Sequence, residues 1–64
     1  MLKIVIIHYS THQYFGGESS EIYCYPFEEA IQAKKKYSEI RLEVSKSNGH
    51  EYVEIFVSTE GKNG

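Results

Sequence analysis

Apolar positions fall into three patterns along the chain. Between Leu2 and Tyr9, Ile4, Val5, Ile6 and Ile7 follow one another without a polar break. A β-branched run of this kind predicts a strand that is apolar on both faces, which belongs in the middle of a single sheet. The stretch from Ser10 to Ser20 is polar and is interrupted by Gly16-Gly17, residues that accept the positive φ angles of a tight turn. It predicts a long hairpin with a poorly packed outer half, returning through a second strand from about Glu21 to Tyr25. A two-residue turn at Gly16-Gly17 sets His12 opposite Glu21. After Pro26, which suits the first turn of a helix, the period changes. Phe27, Ala30, Ile31, Lys34 and Tyr37 recur at spacings of three and four and predict one helical stripe. Glu28 and Glu29 then sit in the first turn and Lys34 to Lys36 towards the end, both favourable to the helix dipole.

Asn48-Gly49 is a strong signal for a type I′ hairpin, because both central positions of that turn need positive φ. Taken as the turn, it sets Val44 against Val53, Leu42 against Ile55 and Ile40 against Val57. Three aliphatic pairs then share one face, as a specified register requires. The opposite face carries Ser45 with Tyr52, Glu43 with Glu54, and Arg41 with Phe56. The expected architecture is a two-layer α+β domain of order ββαββ. Its four-stranded, mainly antiparallel sheet has the order 2-1-3-4, with 2-1-4-3 as the alternative, and one helix covers one face. The domain is expected to span residues 1–60, with a disordered tail at 61–64.

Size sharpens this picture. A chain of 64 residues buries only roughly 60% of its unfolded surface, so outside help with stability is expected. Cys24 is the only cysteine, which excludes a disulfide within one chain and suits a reducing, cytoplasmic setting. The Ile4–Ile7 run is too short for a signal peptide or a membrane span. Nine acidic and seven basic residues are interleaved, for a net charge of −2. That balance lacks the basic stripe of a nucleic-acid-binding domain. Six tyrosines and three phenylalanines without a tryptophan fit half-buried sheet surfaces and interfaces.

Candidate chemistry is sparse. His8, His12, His50 and Cys24 are the only soft ligands, and they lack the paired close spacing of a zinc site. In a strand His8 and His12 stand about 13 Å apart, too far to share one ion. Cys24 has apolar neighbours and no evident base. Gly16-Gly17 lacks the Lys-Ser/Thr pair of a phosphate loop, and adjacent Glu28 and Glu29 diverge on a helix. Neither a metal, a cofactor nor a small-molecule substrate is expected, and no catalytic residue is assigned.

One helix cannot cover both faces of a sheet whose first strand is apolar on both sides. The expected interaction face comprises Tyr52, Phe56, Arg41, Glu43, Glu54, Val5, Ile7 and Tyr23, offered to a protein partner or to a second copy of the chain. Exposed aromatic residues on a sheet also stack single-stranded bases. The Glu43/Glu54 pair on that face opposes phosphate, so nucleic acid is not an expected partner. In format the chain is short, acidic and tyrosine-rich, with Tyr25 to Lys36 followed by the Asn48-Gly49 turn. It thereby resembles the small accessory proteins of phages and mobile elements, some of which inhibit host defence, anti-CRISPR proteins included. The resemblance covers about half the chain and implies an inhibitory interaction module without carrying over any functional residue.

Overall fold

A computed structural model of the protein describes residues 2–12 and 17–59. The elements are β1 (Leu2–His12), β2 (Gly17–Pro26), a 3-10 turn at Phe27–Glu29, α1 (Ala30–Ser45) and β3 (Glu51–Thr59). The sheet has three strands in the order β2-β1-β3, and both pairings are antiparallel. The β-branched run is therefore central, where a strand apolar on both faces belongs. β2 and β3 flank it, parallel to each other, and α1 connects them.

The expected fourth strand is not seen among the described residues. Residues 40–45, read as its core, form the last turns of α1. Both readings fit the apolar spacing locally, because Ile40 and Val44 lie on one side of a strand and also on one side of a helix. Leu42 separates them. In a strand it joins Ile40 and Val44, whereas on α1 it points away from the sheet and is 60% exposed. The helical stripe is Ala30, Ala33, Tyr37, Ile40 and Val44, not the one ending at Tyr37. Ile31, assigned to the stripe, is exposed, and Lys34 to Lys36 lie in the middle of the helix, away from its last turn.

Asn48 and Gly49 do take positive φ, 58° and 86°, but they reverse the chain from helix to strand. Left-handed residues just past a helix serve this purpose well. The Lys46 and Ser47 amides donate to Glu43 O and Val44 O at 3.1 and 3.0 Å, and the His50 amide donates to Ser47 O at 3.2 Å. The pairings of Val44, Leu42 and Ile40 with β3 are thus replaced. β3 lies instead on β1, with Val53, Ile55 and Val57 opposite His8, Ile6 and Ile4.

In the first hairpin, His12 pairs with Gly17 and His8 with Glu21. The register is four residues from that of a two-residue Gly16-Gly17 turn, so the expected His12–Glu21 pairing is replaced by His8–Glu21. The turn itself and the 61–64 tail lie outside the described residues.

The core is small. Among the described residues the buried apolar side chains are Ile4, Ile6, Ala33 and Ile40, with Tyr23, Tyr25, Ala30, Tyr37, Val44 and Val53 packed around them. Ile6, in the centre of the middle strand, is wholly inaccessible. A helix of 16 residues is about 24 Å long, whereas the 11 residues of β1 extend about 36 Å. α1 therefore roofs only part of its face. Leu2, Ile55 and Val57, on the same side of the sheet, stay exposed.

Candidate functional site: the open sheet face

Strand alternation assigns every sheet residue to a face. Leu2, Ile4, Ile6 and His8 of β1 share the helix side with Tyr23 and Tyr25 of β2 and with Val53, Ile55 and Val57 of β3. The other face carries Val5, Ile7 and Tyr9, beside Ile22 and Cys24 of β2 and Tyr52, Glu54 and Phe56 of β3. Among the described residues no helix lies over this second face.

Its centre is apolar. Val5 stands between Cys24 and Phe56, and Ile7 between Ile22 and Glu54. Ile22 is 63% and Phe56 44% exposed, and the Cys24 thiol is free and exposed. At one end Tyr9 and Tyr52 stack with ring centroids 4.4 Å apart and planes at 20°. Tyr9 Oη donates to Glu54 Oε1 at a long 3.4 Å. Partial desolvation, followed by the Glu54 carboxylate, raises the Tyr9 pKa above its usual value.

Five of the eight expected interaction residues meet on this face: Val5, Ile7, Tyr52, Glu54 and Phe56. The other three do not. Arg41 and Glu43 belong to α1, which dissolves the expected Glu43/Glu54 and Arg41/Phe56 pairs. The Arg41 guanidinium lies 5.9 Å from the Tyr37 ring, beside a shallow groove of about 420 Å3 between α1 and β3. Tyr23 is on the helix side, with Lys36 Nζ 4.6 Å from its ring centroid. Tyr23 Oη donates to Glu21 Oε1 at 2.8 Å, and this bond leads the causes that raise the Tyr23 pKa. The sequence reading did not assign Ile22, Cys24 and Tyr9 to the site. Lys3 and Tyr9 at the ends of one β1 set are the signal that marks it as the outer set, and antiparallel pairing then carries Ile22 and Cys24 with it.

On the helix side, His8 is the one buried polar residue among the described residues. Its Nε2–H donates to Glu51 Oε1 at 2.8 Å, while Nδ1 lies 3.9 Å from Glu21 Oε1. The Glu51 amide donates to Ser47 Oγ at 3.2 Å, and Ser47 Oγ donates to Val44 O at 2.6 Å. This chain of bonds ties the central strand to the end of α1 and satisfies a polar group that would otherwise be costly to bury. It has the character of a structural clamp. Among the described residues no cluster of three His, Cys, Asp or Glu side chains suits a metal ion, and no helix is long and apolar enough to cross a membrane.

No protein-family model matches this chain, and neither a curated protein nor a solved structure matches it.

Proposed function

We propose that the protein is a non-catalytic interaction module whose working surface is the open sheet face, and that its partner is another protein. One observation carries the reading. Among the described residues, Val5, Ile7, Ile22, Cys24 and Phe56 stand side by side without a covering layer, while only four apolar side chains are buried. With roughly half of Ile22 and Phe56 exposed, and side chains of ~150–250 Å2 for aromatics, the patch approaches the few hundred Å2 that marks an interaction site on a small protein. Lys3, Glu18 and Glu54 supply charge of both signs around the apolar centre, the arrangement of core and rim found at protein interfaces.

Inhibition of a host protein, as in phage accessory proteins, is one version of this activity. The resemblance that suggested it included a terminal hairpin, and with that hairpin replaced by helix the version rests on size and acidity. A second reading, single-stranded nucleic acid on the aromatic end of the face, draws on the Tyr9–Tyr52 stack and on the removal of Glu43 to the helix. Salt-sensitive retention of an oligonucleotide at ~50 mM salt would favour it over the protein partner.

The protein-partner reading is tested with a photo-cross-linking benzoylphenylalanine placed at Ile22 and, separately, at exposed Ile31 on α1. In extracts of the source cell, a defined foreign protein should be captured from Ile22 and not from Ile31, and excess wild-type chain should compete it away. Equal capture at both positions, or none at Ile22, would end this reading.

A further inference from the structure

The two edges of the sheet differ in composition. β2 reads Gly-Glu-Ser-Ser-Glu along its first half and ends in Pro26, which are features that protect an edge strand from pairing. β3 reads Tyr-Val-Glu-Ile-Phe-Val from residue 52. It is apolar on both faces along most of its length, and yet it stands at the edge. Val57 on the helix side is 53% exposed, and Phe56 on the other side is also partly bare. A strand of central composition in an edge position is a template for further pairing.

We propose that β3 pairs antiparallel with β3 of a second copy of this chain, joining two sheets into one of six strands. Antiparallel pairing of a strand with its own copy satisfies a two-fold axis, so a single surface serves both sides of the seam. An axis normal to the sheet preserves faces, and it therefore passes through a residue. At Glu54 it would set two carboxylates against each other. At Phe56 it sets Phe56 against the partner's Phe56, Ile55 against the partner's Val57, and Glu54 against the partner's Ser58. That register matches apolar groups on both faces and separates the like charges. The β2 strands, with their polar first halves and terminal Pro26, then form the outer edges, which opposes growth beyond two copies.

The occupant is a second copy because the seam asks for no complementary charge and is matched by its own sequence. Covering Ile55, Phe56 and Val57 on both copies removes on the order of 500 Å2 of apolar surface, given side chains of roughly this size. Backbone pairing adds to this, and the total lies at the small end of specific interfaces. A seam of this size makes a weak dimer whose population follows concentration. This inference shares Phe56 with the open face but turns on the edge of β3, so Val57 on the seam and Ile22 on the far strand tell the two readings apart.

The test is sedimentation velocity on the full chain from about 5 to about 500 μM, a range spanning micromolar association. Wild type should rise from 7.4 kDa to twice that mass. Val57→Lys should remain at the lower mass throughout, and Ile22→Lys should dimerise as wild type does. Hydrogen exchange on wild type supplies a readout that needs no variant. Edge-facing β3 amides should slow about fivefold between the two concentrations while edge-facing β2 amides stay unchanged. A single mass at every concentration overturns the proposal, as does concentration-independent β3 exchange. A dimer abolished by Ile22→Lys and kept by Val57→Lys also overturns it, and would transfer the second copy to the open face.

Discussion

Substituting Ile40 and Leu42 separately by alanine tests the element that most defines this fold. On a strand the two residues share a face and lose similar contacts. On α1 they lie about 200° apart, at 100° per residue. Ile40 is 4% exposed and belongs to the core cluster, so Ile40→Ala should cost about 2–4 kcal/mol, within the range for a buried aliphatic cut to alanine. Alanine's better helix propensity offsets only a few tenths of that. Leu42 loses little on truncation, because most of it is already in water, and the same propensity gain applies. Leu42→Ala should fall within about 0.5 kcal/mol of wild type. A domain of this size is stable by roughly 3–10 kcal/mol at the usual value per residue. Urea unfolding followed at 222 nm, with a slope near 1 kcal/mol/M, should therefore move the Ile40→Ala midpoint down by about 2 M or more, or leave no folded baseline. Leu42→Ala should keep its midpoint. Equal losses at the two positions would refute the helix over 40–45 and restore the hairpin.

Other expectations follow from the same contacts. Glu51→Ala strands the His8 imidazole in the core without its 2.8 Å partner and should cost about 1–3 kcal/mol by urea unfolding at pH 7; an unchanged midpoint would show that the clamp contributes nothing. Gly49→Ala has open space for its Cβ but sits at φ +86°, so a loss of about 1–2 kcal/mol should arise from backbone strain alone. Tyr9 holds its proton more tightly in the folded state through desolvation and Glu54. Its contribution to stability is thus present below about pH 10, the unfolded value, and is lost as pH rises through the elevated folded value. Tyrosine carbon shifts should place Tyr9 above a random-coil tyrosine, and Glu54→Gln should bring it closer.

Much of the sheet was legible from local pattern. The Ile4–Ile7 run indicated a middle strand, and the hairpin to β2 followed from the polar, glycine-bearing stretch after it. Pro26 marked the change from strand to helix. The last strand was legible too, but its neighbour was not. Asn48-Gly49 signals positive φ, and it delivers positive φ. What a dipeptide does not carry is whether a strand or a helix precedes it. Across Ile40-Arg41-Leu42-Glu43-Val44 a period of two and a period near four coincide at Ile40 and Val44. Ala33, seven residues before Ile40, carried the deciding helical spacing, but its small side chain registers weakly as apolar. The candidate site was legible where it depended on β1 and β3, through Val5, Ile7 and Phe56. It failed for Arg41 and Glu43, whose placement was inherited from the missing strand. It failed also for Tyr23, which pairs with Ile6 on the helix side, because the polar stretch after β1 does not fix which set of β2 faces outward.

The position of β1 between its neighbours also constrains how the molecule can come into being. Its pairing with β2 is local, but Leu2 meets Thr59, nearly the whole chain later. During synthesis the earliest strand emerges first and must wait for the last one, with a greasy flank exposed in the interval. Long-range pairing of this kind slows folding and invites premature association. A nascent chain stopped before β3 should therefore hold only the local hairpin and nascent helix, and engage chaperones. The fold closes only once β3 has emerged to pair with β1.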